Sequence, residues 1–256
     1  MKLNHIYHGD CVDVMRTFPE GVIDLTVTSP PYDNLRTYKG YEFNFEEIAK
    51  ELYRVTKDGG VVVWVVGDET KQFCESLSSF KQAIYFVETV GFNLLDTMIY
   101  YKQNYAPAYP TLRRYANQFE YMFVFSKGKP TTFNPVQRSK VRNKEEKVAY
   151  RQRDGSLKRK IKPKGRETKD ASNVWEYAVG GNTSGHPAVF PEKLAEDHIL
   201  SWSNPGDIVL DPMCGSGTTC KMAKLNGRNY IGIDIAEEYV EMARRRVEEV
   251  RDDGTT

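Results

Sequence analysis

Asp211-Pro212-Met213-Cys214-Gly215-Ser216-Gly217-Thr218-Thr219 is the stretch of this chain that decides its fold. A short apolar run, residues 207–210, precedes it, and residues 220–225 after it have helical spacing. The pattern predicts a buried strand, a glycine-rich loop and a helix. Glycine lets the backbone approach a ligand closely, and the start of a helix offers unpaired N–H groups to an anion. The stretch therefore predicts a ligand site at the end of a strand.

A second apolar run, residues 229–233, ends in Asp234, which lies 23 positions after Asp211. In nucleotide-binding α/β folds an acid at this distance, at the tip of the next strand, holds an adenosine ribose. The dinucleotide fingerprint is excluded because its third glycine is replaced by Cys220, and the phosphate-loop spacing is absent. We expect a nucleoside ligand without a pyrophosphate. S-adenosylmethionine fits, with its ribose on Asp234 and its methionine end at the glycine loop. A tight turn without a ligand is the alternative.

Length and composition limit the class of protein. The 256 residues are 40% hydrophobic and 12% aromatic, which indicates one large α/β domain with an insertion. No apolar run approaches the length of a membrane span, and the N-terminus lacks the apolar region of a signal peptide. The four cysteines form no Cys-x-x-Cys pair, so we expect reduced thiols in the cytoplasm and no metal site or disulfide framework.

The second informative segment follows a predicted strand over residues 22–28 and reads Ser29-Pro30-Pro31-Tyr32. The two prolines hold the chain extended and remove two N–H donors. The Ser29 hydroxyl and the carbonyl groups therefore remain as acceptors beside an aromatic ring. This arrangement suits a flat heterocycle that stacks on Tyr32 while its exocyclic amine donates to Ser29 Oγ and the Pro30 carbonyl. An ordinary proline-stiffened loop is the alternative.

The remaining segments predict ordinary elements. Residues 45–56 predict a helix, 61–66 a buried strand, and 71–90 one long helix that ends at Gly91. Residues 94–102 and 119–125 predict two further strands.

The order of the two motifs resembles that of a known family. Thr28-Ser29-Pro30-Pro31-Tyr32, followed much later by the 211–219 stretch, is similar to the amino-methyltransferases of DNA, and catalytic motif before cofactor motif resembles their β class. The resemblance covers roughly residues 1–130 and 175–250. It implies a Rossmann-like class I methyltransferase fold with about seven mostly parallel strands and a circularly permuted motif order. Residues 1–130 would form the catalytic half, 131–174 a basic target-recognition insertion, and 175–256 the cofactor-binding half.

The same resemblance implies S-adenosylmethionine as cofactor and assigns roles to individual residues. Asp10 would lie at the adenine end of the cofactor, and Phe190 and Pro191 would form a wall of its pocket. The implied cofactor-binding residues are Asp10, Phe190, Pro191, Asp211, Met213, Gly215, Ser216, Gly217, Thr218 and Asp234. The implied catalytic residues are Ser29, Pro30, Pro31 and Tyr32.

A basic block lies between the two halves. Residues 137–171 hold 14 Lys/Arg and 5 Asp/Glu, a net charge of +9, so the rest of the chain carries −8 within a total of +1. Such a block usually binds a polyanion, and here double-stranded DNA is the expected partner. A solvated linker is the alternative. The residues expected to contact DNA are Arg113 and Arg114, in a loop that interleaves aromatic and basic residues, and Lys158, Arg159 and Lys160.

The chemistry narrows the reaction but leaves the target base open. Carbon-5 methylation of cytosine would need a nucleophilic cysteine, typically after a proline, and none of the four cysteines follows one. A stacked base cannot reach Tyr32, so the base must flip out. Serine in the first motif position resembles the cytosine-N4 enzymes, so we expect methylation of cytosine N4. Adenine N6 is the first alternative, and a non-catalytic DNA-binding scaffold is a remote one. A restriction endonuclease acting on the same sequence is a further expected partner in a prokaryotic cytoplasm, and the choice between monomer and dimer stays open.

Overall fold

The computed structural model of the protein describes residues 1–31, 43–105, 114–139, 146–162, 168–179 and 191–250. The chain divides into two compact units. The larger unit consists of Met1–Asn134 and Asn173–Thr256, and the smaller unit is Pro135–Ser172.

The larger unit alternates strands and helices. Its strands are β1 (His5–His8), β2 (Ile23–Thr28), β3 (Thr56–Val66), β4 (Thr70–Lys71), β5 (Cys74–Glu75), β6 (Asn93–Lys102), β7 (Phe119–Ser126), β12 (Val174–Tyr177), β13 (Ile208–Asp211) and β14 (Asn229–Asp234). Its helices are α1 (Cys11–Arg16), α2 (Phe45–Val55), α3 (Ser78–Tyr85, continued by a π-helical turn over Phe86–Val90), α4 (Glu192–Trp202), α5 (Thr218–Leu225) and α6 (Glu237–Glu248).

Eight of these strands form one sheet in the order β1-β14-β13-β2-β3-β7-β6-β12. All neighbours are parallel except β7, which is antiparallel to β3 and β6. The predicted α/β fold with a mostly parallel sheet is confirmed. The sheet has one strand more than expected because β12 pairs with β6 and forms an edge of the sheet. The last strands in chain order, β13 and β14, lie between β1 and β2, which is the permuted arrangement.

Helices cover both faces of the sheet. On one face, Met15, Leu52 and Phe86 pack with Trp64 and Leu210 in the largest buried cluster. On the other face, Val240, Ala243 and Val247 of α6 pack against Ile6 of β1 and Cys220 of α5. Burial on both faces explains the continuous apolar run of β3, since a central strand covered on both faces of the sheet has no solvent-facing side.

The prediction of one long helix over residues 71–90 is wrong at its start. Residues 70–75 form a two-stranded hairpin, and α3 begins only at Ser78. The Asp68 carboxylate accepts hydrogen bonds from the Ser79 N–H at 2.9 Å and the Ser79 hydroxyl at 2.6 Å, which fixes the start of the helix there. The predicted end is right, because Gly91 terminates the helical segment at a φ of 99°.

The smaller unit is built from two antiparallel strand pairs. β8 (Gln137–Ser139) pairs with β11 (Thr168–Asp170), and β9 (Glu146–Arg151) pairs with β10 (Leu157–Lys162). In the turn between β9 and β10, the Asp154 carboxylate accepts from the Ser156 N–H at 2.9 Å and the Ser156 hydroxyl at 2.7 Å. Part of the basic block is therefore a β-ribbon. Among the helices in the described parts of the chain, none has the length and apolar character needed to cross a membrane.

Candidate active site

The sheet has a topological switch point between β13 and β2. The chain leaves β13 toward β14 on one side and leaves β2 toward β3 on the other, so the carboxyl ends of these two neighbours form a crevice. Asp211 ends β13 and Thr28 ends β2. The Thr28 hydroxyl donates a hydrogen bond of 2.7 Å to Asp211 Oδ1. This bond joins the strand that carries the Ser-Pro-Pro segment to the strand that carries the glycine loop.

Asp211 is a buried carboxyl group at the centre of this crevice. Burial raises its pKa to about 6, although hydrogen bonds from the Thr28 hydroxyl and the Met213 N–H favour the ionised form. The nearby Asp234 carboxylate also raises the pKa of Asp211. A cationic group placed against such a desolvated carboxylate would stabilise its ionised form.

Asp234 ends β14 and supports the glycine loop. Its Oδ2 accepts from the Gly215 N–H and its Oδ1 from the Ala236 N–H, both at 2.9 Å. Burial raises its pKa above the ordinary value, against these backbone bonds. Because each carboxylate oxygen accepts more than one hydrogen bond, these contacts leave capacity for a ligand hydroxyl.

Asp10 lies at the tip of β1, the strand that pairs with β14. Its Oδ1 accepts from the Val12 N–H at 2.8 Å and the Asp13 N–H at 3.2 Å, so Asp10 is the N-cap of α1. Burial, followed by the charge of Asp10 and a smaller effect of Asp234, raises the pKa of Cys11 to about 12. Both carboxylates are thus close to one buried thiol. Three neighbouring strands, β1, β14 and β13, each present an acid at the same edge of the sheet.

The two glycines of the loop are required for different structural reasons. Gly217 precedes α5 at a φ of 78°, and a Cβ there would lie 2.7 Å from the Cβ of Ala243 on α6. Gly215 has a φ of 47°, which also lies in the left-handed region. The loop therefore needs glycine for close packing and for backbone conformation.

Arg246, Lys221 and Glu192 form a charged cluster that supports the glycine loop, and the sequence alone did not predict it. Arg246 Nη1 donates to the carbonyl and the hydroxyl of Ser216, each at 2.7 Å, and to Thr218 Oγ1 at 3.3 Å. Arg246 Nη2 and Lys221 Nζ both donate to Glu192 Oε1, at 2.7 and 2.9 Å. The two hydroxyls predicted to face the cofactor thus accept hydrogen bonds from α6. The pattern of α6 predicts only surface Glu/Arg pairs, and nothing local separates Arg246 from the exposed Arg245.

The Ser-Pro-Pro segment leaves the sheet directly after Thr28. Ser29 and Pro31 are half-buried and Pro30 is buried. Pro191 is buried and directly precedes α4, with its carbonyl accepting from the Leu194 N–H. Met213 is half-buried and packs against the largest core cluster. Of the residues predicted for catalysis and cofactor binding, Tyr32 and Phe190 lie outside the described residues.

The residues predicted to contact DNA lie in different surroundings. Arg114 donates to the Thr70 hydroxyl and, at 2.5 Å, to Glu75 Oε1, so it is engaged with both strands of the β4–β5 hairpin. Arg113 lies outside the described residues. Lys158, Arg159 and Lys160 are exposed on β10 of the smaller unit. Within the described ranges, no group of three or more His, Cys, Asp or Glu side chains is arranged to hold a metal ion.

Comparison with known proteins gives the family. The family described as DNA methylase matches residues 23–245 of the chain. The chain belongs to this DNA methylase family. The orphan methyltransferase M.BamHII of Bacillus amyloliquefaciens is 56% identical over 251 residues, which cover 93% of this chain and 90% of the relative.

Two solved DNA methylase structures share the fold. The cytosine-N4-specific PvuII DNA methyltransferase superposes with a TM-score of 0.72 at 22% identity, covering 94% of this chain and 85% of its own. The complex of M1.HpyAVI with S-adenosylmethionine superposes with a TM-score of 0.66 at 25% identity, covering 95% and 98%. The predicted β-class DNA amino-methyltransferase and its cofactor are confirmed.

The chemistry of the crevice fits this cofactor. S-adenosylmethionine carries a sulfonium and an ammonium group, and both would be stabilised by carboxylates such as the buried Asp211. Its ribose hydroxyls require an acceptor at a neighbouring strand tip, where Asp234 lies.

Proposed function

We propose that this DNA methylase transfers the methyl group of S-adenosylmethionine to the exocyclic N4 of a cytosine flipped out of duplex DNA. The observation that carries the proposal is the acceptor segment beginning at Ser29, which directly follows the residue bonded to Asp211. Serine in the first position of this segment resembles the cytosine-N4 enzymes.

The cofactor would be held along the tips of three neighbouring strands. We assign the methionine end to Asp211 and the 213–218 loop, the ribose to Asp234, and the adenine end to Asp10, with Phe190 and Pro191 as a pocket wall. When bound, S-adenosylmethionine supplies an electrophilic methyl group on its sulfonium sulfur. A pKa of about 6 leaves Asp211 mostly ionised at neutral pH, so its carboxylate attracts the cationic part of the cofactor.

The role of the chain in the reaction is to orient and polarise the amine. The lone pair of an exocyclic amine is delocalised into its ring, which makes the nitrogen a poor nucleophile. Hydrogen bonds from the amine to Ser29 Oγ and the Pro30 carbonyl favour a pyramidal nitrogen and offset its developing positive charge. Pro31 holds the backbone of the acceptor segment extended. The Thr28–Asp211 hydrogen bond restricts the movement of this segment relative to the glycine loop. Catalysis thus rests on positioning and electrostatics, without a covalent enzyme intermediate.

DNA would be held mainly by the basic insertion, residues 131–174, between a catalytic half (1–130) and a cofactor-binding half (175–256). The net charge of +9 on residues 137–171 supports phosphate contacts by Lys158, Arg159 and Lys160. Arg113 and Arg114 remain candidates for further contacts. We expect the activity in the cytoplasm of a prokaryote, as the bacterial source of the relative M.BamHII suggests. A restriction endonuclease acting on the same sequence stays a prediction.

Mass spectrometry of nucleosides tests the choice of base directly. Plasmid DNA is incubated with the protein and S-adenosylmethionine, digested and analysed, with a Ser29→Ala variant as the control for contaminating activity. We expect N4-methylcytosine from the wild type alone. N6-methyladenine would overturn the cytosine assignment, and the absence of any methylated base would favour the DNA-binding scaffold.

Tyr32→Ala tests the location of the base site. Loss of the stacking ring should lower methyl transfer roughly 5- to 150-fold, because base–aromatic stacking contributes about 1–3 kcal/mol. Tyr32→Phe keeps the ring and should retain most of the activity. Calorimetry should show unchanged affinity for S-adenosylmethionine in both variants. Equal loss of cofactor binding and methyl transfer in Tyr32→Ala would mean that Tyr32 is structural.

A further inference from the structure

The β4–β5 hairpin has an unusual turn. Its two strands are joined by Gln72 and Phe73, whose φ angles are 47° and 71°. Two-residue hairpin turns require positive φ at both central positions when they are of type I′, and Asn-Gly is the usual sequence. A bulky residue such as phenylalanine in this region is an outlier. Such a conformation persists where the surrounding structure holds it, and outliers of this kind cluster at functional sites.

The stem of the hairpin is held on two sides. Arg114 donates to the Thr70 hydroxyl on β4 and to the Glu75 carboxylate on β5, which ties the two strands together. Behind the stem, Asp68 accepts hydrogen bonds from the Ser76 hydroxyl at 3.2 Å and from the N–H and hydroxyl of Ser79. The base of the turn is therefore rigid, and the turn residues extend beyond it.

The hairpin lies at the same edge of the sheet as the acceptor segment. Thr28 of β2 is paired with Trp64 of β3, so Ser29 leaves the sheet beside the last residues of β3. Thr70 follows Val66, the end of β3, by four residues, and such a segment spans at most about 14 Å. The hairpin is thus restricted to the neighbourhood of the crevice where the target base would react.

Phe73 is an exposed aromatic side chain on this rigid stem. The turn leaves 66% of its surface accessible. A flipped base leaves a gap in the duplex, and proteins that open or kink DNA insert apolar side chains such as phenylalanine into the base stack. We propose that Phe73 inserts into the duplex beside the target base and fills the gap that flipping creates. This inference rests on the proposed flipping of the base and is independent of whether that base is cytosine or adenine.

A competing occupant of this region is a second copy of the chain. Leu77, Phe80 and Ile84 are also exposed, at helical spacing along α3, and could form a contact between subunits. Two observations favour DNA for Phe73. Its ring belongs to the hairpin tip and not to the face of α3, and the hairpin is at the reactive edge of the sheet.

Single-turnover methyl transfer on two duplexes tests the proposal. Both contain a site that the wild-type protein methylates in plasmid DNA; in one the target base is paired, and in the other it faces an abasic position. The variants are Phe73→Ala, Phe73→Leu and Phe133→Ala. Phe133 is the matched control because its ring is 61% exposed and packs against Trp202 at the end of α4, at the opposite edge of the sheet.

On the paired duplex, we expect the rate of methyl transfer by Phe73→Ala to be about tenfold or more below that of the wild type. On the abasic duplex, where flipping is easier, the two rates should agree within about twofold. Phe73→Leu keeps an apolar wedge and should recover most of the rate, and Phe133→Ala should equal wild type. Cofactor affinity should be unchanged throughout.

Three results with Phe73→Ala would overturn the proposal. They are an unchanged rate of methyl transfer, an equal loss of rate on both duplexes, and dissociation, in size-exclusion chromatography, of an oligomer that the wild type forms. The last would assign Phe73 to a subunit contact. Failure of the proposed function is separate, because it would appear as the wrong methylated base, or none, in wild-type nucleoside analysis.

Discussion

Replacing Asp211 with asparagine should make the cofactor-free protein more stable at pH 8. Asparagine has nearly the same shape and keeps an acceptor for the Thr28 hydroxyl and the Met213 N–H. It removes a negative charge that the folded protein buries without a cationic partner within the described residues. We therefore expect a gain in the free energy of unfolding and a loss of function.

The magnitude follows from the pKa. Burial raises the pKa of Asp211 from 3.8 to about 6, and two pKa units correspond to about 3 kcal/mol at roughly 1.36 kcal/mol per unit. Because the folded pKa is the higher one, the folded state holds the proton between pH 3.8 and 6, and stability falls as the pH rises through this window. The cost is complete above pH 6. Asp211→Asn should gain up to about 3 kcal/mol at pH 8 and about half as much at pH 5.

Urea unfolding of the wild type and of Asp211→Asn at the two pH values, without cofactor, measures this difference. Asp24→Asn is the matched control. Asp24 is on the adjacent strand β2, where its carboxylate accepts from Lys57 Nζ at 2.5 Å and from the Ile208 N–H at 2.8 Å. Removing a charge that has a cationic partner should leave stability unchanged or lower at pH 8.

Calorimetry on the same Asp211→Asn protein should show S-adenosylmethionine binding weaker by about tenfold or more, since a charge-assisted contact contributes roughly 1.5–3 kcal/mol. A less stable Asp211→Asn protein at pH 8, or a gain that grows toward low pH, would refute the argument from burial. Unchanged cofactor affinity in a more stable variant would leave the electrostatics intact and remove Asp211 from the binding site.

Three further predictions concern the glycine loop and the binding of DNA. Asp234→Ala should weaken S-adenosylmethionine binding about tenfold or more in calorimetry, with DNA affinity nearly unchanged; equal cofactor affinity in a folded variant would contradict the assignment. Arg246→Met should lower cofactor affinity by removing the bonds to Ser216, while Arg245→Met, on the exposed side of α6, should match wild type in the same titration. Neutralising residues 158–160 should weaken binding to all duplexes and make the slope of log affinity against log salt shallower by up to about 2.7, and an unchanged slope would identify the run as a solvated linker.

The parts of the fold that could be predicted are those with local causes. The strand before Asp211, the glycine loop and α5 follow from an apolar run, two glycines in the left-handed region and helical spacing over a few residues. The end of the helical segment at Gly91 has the same local origin. The permuted strand order is implied by the resemblance of the motif order to the β class of DNA amino-methyltransferases, and the two motifs follow the neighbouring strands β13 and β2.

The parts that were missed depend on contacts distant in sequence. The helix predicted over residues 71–90 includes most of the hairpin at residues 70–75, whose stem is held by Arg114, about 40 positions further on. β12 adds an eighth strand through pairing with β6. Arg246 is one of several charged residues on α6, and only the packing of α6 on the loop brings it to Ser216.

The Thr28–Asp211 hydrogen bond joins two motifs whose order along the chain does not decide whether they meet in the sheet. These residues are 183 positions apart, yet their strands are neighbours in the sheet. The crevice needs the acceptor segment after one strand and the glycine loop after the adjacent one, and parallel pairing brings both to the same edge whichever strand comes first. A buried hydrogen bond between the two strand tips holds their relative position more tightly than strand pairing alone, because breaking it would leave two buried polar groups unpaired. Thr28, which precedes the acceptor segment by one residue, thus connects the proposed site of the target amine to the carboxylate that we assign to the cofactor.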